Sequence, residues 1–235
     1  MRVLPCGPHA RLIEHADPIG YALGVRAAVD SGLIANVVDV IPAEETVLVT
    51  FGGHPDDSAL LRVSPQQRDA DSGDVVEIPV AYDGEDLDEV AAVVGVTTNE
   101  VIAMHSAPTY TVAFCGFAPG FAYLTGTDPR LHLPRRATPR TRVPAGSVAI
   151  AAGYSAVYPL ASPGGWHLLG RTDAPLFDPM SDAPALLRPG MSVRFTPAAN
   201  VRARDTAPAA LVPMDALPAI EVVDPGPLTL IQDLG

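Results

Sequence analysis

Between His105 and Pro175 the chain carries six arginines (Arg130, Arg135, Arg136, Arg140, Arg142 and Arg171) and three histidines. Only Asp128 and Asp173 oppose them, in a protein whose formal net charge is −12. A local reversal of charge of this kind is a candidate anion site, because the planar guanidinium fork suits two-point recognition of carboxylate or phosphate. The competing interpretation is a solvated loop whose arginines pair with acids from the N-terminal part of the chain. Two glycine-rich turns favour a site. Gly116-Phe117-Ala118-Pro119-Gly120-Phe121 sets two aromatics around a tight turn, and Ser162-Pro163-Gly164-Gly165-Trp166 does the same with the only tryptophan. Consecutive glycines let backbone N–H groups approach a ligand, and a flanking aromatic supplies an apolar wall. Either turn could instead plug a barrel end. His105, at a predicted helix end, is a candidate general acid or base, or a partner for helix-end carbonyls. Ser147 has no visible partner base, so local hydrogen bonding at a strand start competes with a nucleophilic or ligand-donating role.

These residues need a frame. Ala10–Glu14 alternates as a strand, and Asp17-Pro18 reads as an N-cap with proline at the first helical position, the helix stopping at Gly32. Val37–Ile41 and Thr46–Phe51 are β-branched runs separated by a turn. A short helix around Ser58–Val63 and a strand at Val75–Pro79 complete an N-terminal α/β domain, residues 1–80. Asp86 opens a helix that Gly95 closes, and Thr97 with Glu100 has capping-box spacing for a second. After Tyr110 short apolar runs alternate with glycine- and proline-rich turns, which predicts a compact β-barrel over residues 81–197. Residues 198–220 read as a linker, and 221–235 as the opening strand of something further. The fold class expected is therefore α+β.

Composition removes several functions. The chain has no lysine, all fifteen basic residues being arginine, so a Schiff-base lysine and a Walker-type phosphate loop are excluded for it. Net acidity argues against nucleic-acid binding and anionic membrane surfaces. No apolar run is long enough to span a bilayer and no secretory signal is visible, so a cytoplasmic location is expected. Two cysteines, Cys6 and Cys115, make neither a disulfide framework nor a zinc site of the usual spacing, and no metal ligand set is expected.

The runs GFAPGFAYL (116–124), PRRATPR (134–140), VPAGSVAIA (143–151), SPGGWHLLGRT (162–172) and LFDP (176–179) resemble the B subunit of the ATP-dependent 5-oxoprolinase family, also labelled allophanate hydrolase subunit 1 and KipI. The resemblance covers residues 1–197. It implies a cyclophilin-like closed β-barrel after the N-terminal domain. It also implies a complex with an A subunit and with a C-type subunit, to whose start residues 223–235 are similar. The reaction implied converts 5-oxo-L-proline to L-glutamate with ATP and Mg used at the level of the complex. On that basis Arg140 and Arg171 would hold the substrate carboxylate or a phosphoryl group, joined by Ser147 and Thr172. Gly164, Gly165 and Ser162 would bind an oxyanion. Phe117, Pro119, Phe121 and Trp166 would wall the pocket, and His105 and Tyr158 would transfer protons or supply hydrogen bonds. The same domain resembles the carboxyltransferase part of urea carboxylase, where biotin is the carrier. A third possibility is a KipI-like inhibitor of a histidine kinase, which needs only a surface.

Overall fold

The structure, a computed structural model, describes residues 1–66, 75–199 and 201. The first strands, β1 (Arg2–Pro5) and β2 (Ala10–Glu14), are followed by helix α1 (Pro18–Asp30), strands β3 (Val37–Pro42) and β4 (Thr46–Phe51), and the single turn α2 (Asp57–Leu60). The strands form an antiparallel sheet in the order β1-β2-β4-β3. Along β4, Val47, Val49 and Phe51 are buried at the period of two that a half-buried strand requires. They pack with Tyr21, Ala22 and Val25 of α1. Asp17 caps α1 by accepting a 2.9 Å bond from the Gly20 N–H, with proline next in line, as the sequence predicts. Strand β1 lies outside the expectation. Four residues ending in proline carry too little periodicity to read.

Strand β5 (Val76–Val80) leads into helices α3 (Leu87–Val94) and α4 (Thr98–Ser106), then β6 (Tyr110–Cys115) and β7 (Ala122–Thr125). Next come β8 (Arg140–Val143), β9 (Ser147–Ala151), β10 (Tyr154–Val157), β11 (Ser162–Gly164), β12 (His167–Arg171) and β13 (Ser192–Pro197). Seven of these strands form one sheet in the order β12-β9-β10-β7-β6-β13-β5; β5, expected to complete the N-terminal domain, pairs in parallel with β13 and belongs to this sheet instead. Its two ends meet: the Ala81 N–H donates to the Arg171 carbonyl at 2.9 Å, and the Arg171 N–H to the Ala81 carbonyl at 2.8 Å. The sheet is thereby closed as a barrel, which leaves no unpaired edge at the seam. Gly170 and Gly84 make the closure possible, since a Cβ at either would collide with backbone across it. The α+β class with a closed barrel is what the resemblance implies. Strands β8 and β11 pair separately as a ribbon.

The strand period sorts the barrel's side chains into two populations. Leu124, Val148, Val157, Val193 and Phe195 fill the interior. Helices α3 and α4 extend this core with Val90, Val101 and Met104 against Ile150 and Leu169. Ala149, Ala151, Ala156 and Leu168, the alternate residues of the same strands, face the other way and carry Phe121, Tyr158 and Trp166, with Val143 of the ribbon. The glycine-turn aromatics therefore sit on the outer face of the sheet and do not plug a barrel end. The linker and terminal-strand readings from residue 202 onward, and the segment 67–74, lie outside the described residues.

Candidate functional site

On that outer face the aromatics enclose a cleft of about 250 Å³. Trp166, Phe121 and Tyr158 form its floor, packed edge to face. Phe121 lies 5.8 Å from Trp166 and 5.4 Å from Tyr158 between ring centroids, with interplanar angles of 87° and 83°. Tyr123 closes one side, 5.7 Å from Trp166. Phe117 stands at the rim, 62% exposed, with its ring 5.2 Å from Phe121. Its backbone is held at φ 74°, and the Ala118 N–H donates to the Gly116 carbonyl at 2.9 Å, so Phe117 occupies the centre of a γ-turn with positive φ. For a bulky side chain this conformation is strained, and strain of this kind concentrates at ligand sites. Opposite, Pro163, Gly164 and Gly165 of the second turn face Arg135 and Pro139. Gly164 has no room for a Cβ, because the Tyr158 hydroxyl occupies that position. Burial raises the pKa of that hydroxyl, although the Trp166 N–H and the Arg135 charge pull against it.

The cleft thus unites Phe117, Phe121, Tyr158, Gly164, Gly165 and Trp166 from the expected set. Pro119, in the same turn as Phe117, does not line it. The arginines are arranged differently from the expectation. Arg136 Nη1 and Arg140 Nη2 each donate at 2.7 Å to Oδ1 of Asp86, whose other oxygen accepts the Leu168 N–H at 2.7 Å. Glu89 and Glu85 complete the cluster at 2.9 and 3.3 Å. Arg171 Nε donates to Asp83 at 2.8 Å, beside the barrel seam. Arg130 is held by Asp128 at 2.7 Å. The opposing acids come mainly from the 83–89 segment, which the seam brings against β12, and only to a lesser extent from within the arginine-rich block. Neither Arg140 nor Arg171 lines the cleft. Arg135 does, and it has no ion-pair partner among the described residues.

Asp86 occupies the N-cap position of α3 as expected, but its side chain makes no capping bond. Burial alone would raise its carboxyl pKa. The Arg140 hydrogen bond, the Leu168 N–H and the two guanidinium charges outweigh that and hold it below the ordinary carboxylate value.

His105 is fully buried within the barrel. Ser155 Oγ donates to the Ala149 carbonyl at 3.3 Å and so accepts from His105 Nε2 at 2.8 Å, leaving Nδ1 to accept from the Tyr82 hydroxyl at 2.8 Å. Its ring also stacks on Phe195, 4.6 Å away. Burial lowers its pKa to about 3, so the imidazole is neutral at any working pH. It is a satisfied core histidine in this arrangement. Ser147 donates to the Pro144 carbonyl at 2.7 Å, the local bond expected of a strand-start hydroxyl. Thr172 is buried, with its N–H on the Gly146 carbonyl and its hydroxyl accepting from the Ala174 N–H. Ser162 Oγ is buried with no hydrogen-bond partner among the described residues. Sequence reasoning misses Tyr123, Arg135, Pro139 and Pro163 as lining residues. Arg135 stands in the quoted PRRATPR run, but adjacent arginines give no signal of which is neutralised.

The barrel and the domain before it match known proteins. Residues 1–187 match the family described as carboxyltransferase domain, subdomain C and D. The B subunit of 5-oxoprolinase from Escherichia coli O157:H7 is 46% identical over 172 residues, 69% of this chain and 78% of that protein. The corresponding 5-oxoprolinase B subunit of Haemophilus influenzae is 51% identical over 123 residues, 51% and 58% of the two chains. The chain belongs to the carboxyltransferase subdomain C and D family and, within it, to the family of 5-oxoprolinase B subunits. Among solved structures, TTHA0988 superposes with a TM-score of 0.71 at 38% identity, covering 81% of this chain, which spans only 40% of that protein's length. Urea carboxylase of Kluyveromyces lactis matches at a TM-score of 0.61 and 22% identity over 83% of this chain and 21% of its own, a likeness of fold alone.

Among the described residues no group of three or more His, Cys, Asp or Glu could hold a metal ion, and no helix is long and apolar enough to cross a membrane. The cleft is also smaller than the roughly 300–1,000 Å³ of pockets that enclose drug-sized ligands. No carboxylate among the described residues lines the cleft, so the cleft itself does not fit ATP with its Mg.

Proposed function

We propose that this chain is the B subunit of an ATP-dependent 5-oxoprolinase complex, which opens 5-oxo-L-proline to L-glutamate. The identity of 46% over most of a relative named as a 5-oxoprolinase B subunit carries the reading. The chemistry is reasonable: a lactam carbonyl is a poor electrophile, and phosphorylation of its oxygen creates a leaving group. ATP and Mg are assigned to a partner, because a chain with no lysine has no Walker-type phosphate loop, and the chain alone is expected to be inactive. The partners are the A- and C-type subunits, with the C-type chain either separate or fused. What this chain contributes is the aromatic cleft. The test is reconstitution with A- and C-type subunits, following 5-oxoproline-dependent release of ADP and glutamate. Release is expected only from the full set. No release from the full set, with biotin-dependent carboxyl transfer in its place, would overturn the reading.

A further inference from the structure

We infer that Arg135 is the specificity-determining residue of the aromatic cleft, receiving the single carboxylate of a small ring whose faces rest on Trp166, Phe121 and Tyr158. The inference deepens the proposed function and rests on it for the identity of the ring. Four of the six arginines in the basic block are held by acids: Arg130 by Asp128, Arg136 and Arg140 by Asp86, and Arg171 by Asp83. Arg135 and Arg142 have no such partner among the described residues, and of these two only Arg135 lines the cleft. A guanidinium left free at an apolar cleft, while its neighbours are neutralised, is a charge available to a ligand.

The backbone beneath Arg135 is fixed on both sides. The Pro134 carbonyl accepts from His167 Nε2 at 2.9 Å, and the Arg136 N–H donates to the Gly165 carbonyl at 2.7 Å. The Arg136 side chain is further tied to Asp86 and Glu89. Arg135 is therefore presented from a strap already ordered, so a ligand need restrain little beyond the side chain itself. Its charge also acts on the Tyr158 and Tyr123 hydroxyls, as expected of a guanidinium facing those rings. One free guanidinium, with no second cation lining the cleft among the described residues, balances one negative charge. That fits a monocarboxylate better than a phosphate carrying nearly two. The small volume and the exposed, strained Phe117 at the rim suit a compact ring with an apolar face.

Trp166 is the only tryptophan, so intrinsic fluorescence reports on the cleft directly. The full chain is titrated with 5-oxo-L-proline and with 2-pyrrolidone, the same ring without its carboxylate. A saturable change with the first and none with the second over the same range is expected. Arg135→Gln weakens the first at least about tenfold, the loss typical of a charge-assisted hydrogen bond, while Arg142→Gln binds as the parent does. Equal binding of the neutral lactam, undiminished binding by Arg135→Gln, or no binding by the parent chain overturns the inference. In the reconstituted complex, Arg135→Gln raises KM for 5-oxoproline while Arg142→Gln does not. Turnover with an unchanged KM in Arg135→Gln defeats the Arg135 assignment and leaves the reaction standing. Carboxylate-dependent binding without turnover by the parent complex does the reverse.

Discussion

Asp86 carries the strap that presents Arg135, and its energetics follow from its burial. Its side chain is only 3% exposed and accepts three hydrogen bonds, two of them from guanidinium groups. Replacing it with alanine strands two partly buried arginines and the Leu168 N–H, a loss of about 3 kcal/mol. Urea denaturation of Asp86→Ala measures it, and a loss below about 1 kcal/mol would show the cluster to be ornamental. Its depressed pKa stabilises the fold above the ordinary carboxylate value, and that contribution fades as pH falls through the folded value. His105 acts at higher pH. It takes up a proton near 6.5 when unfolded and at about 3 when folded, so stability is full above 6.5 and falls between those values by up to ~1.4 kcal/mol per pH unit. Unfolding free energies between pH 7 and pH 4 should show that slope, and His105→Gln should flatten it. An unchanged slope in the variant would place the titration elsewhere. The sequence shows Asp86 as a helix start and His105 as a helix-end residue, which both are. It does not show their partners, since Arg136 lies 50 positions beyond Asp86 and Ser155 lies 50 beyond His105. Those contacts are set by closure of the barrel, and no local pattern encodes them.

At the scale of elements, apolar alternation and turn chemistry are enough to locate β2, α1, β3, β4, α3 and α4 closely. Asp17-Pro18, Gly95 and the Thr97–Glu100 box act in the structure as those residue types should. Period-two patterning does not reveal which face of the barrel strands is which, because β9 is buried on both sides and reads as a continuous apolar run. The aromatic cleft lies on the outer face, and the alternative in which its turns plug a barrel end does not hold. The closing seam is equally illegible, although its cause is a pair of glycines. Gly170→Ala places a Cβ against the Ala81 carbonyl and should cost about 1–3 kcal/mol by overpacking. Gly53→Ala meets open space and should stay within about 0.5 kcal/mol. Thermal unfolding of the two variants compares them, and equal midpoints would mean that the seam gives way without strain.

For the whole molecule, the two sheets touch near the cleft through a long-range hydrogen bond. The Tyr154 hydroxyl donates to Glu44 at 2.7 Å, and the Tyr154 ring packs on Tyr123 of the cleft wall. The turn between β3 and β4 thus buttresses the site from the N-terminal sheet. The closed barrel supplies a rigid outer face, and the strap and the two glycine turns build the cleft on it. Family membership is legible because the runs from 116 to 179 are dense in turn glycines and prolines whose order is hard to reach by chance. The free arginine is not, because neutralisation of its neighbours is a three-dimensional fact. The most direct test of the proposed role is glutamate release from 5-oxoproline and ATP by A- and C-type subunits, measured with and without this chain. Release is expected only when the chain is present; the same release in its absence would contradict that role.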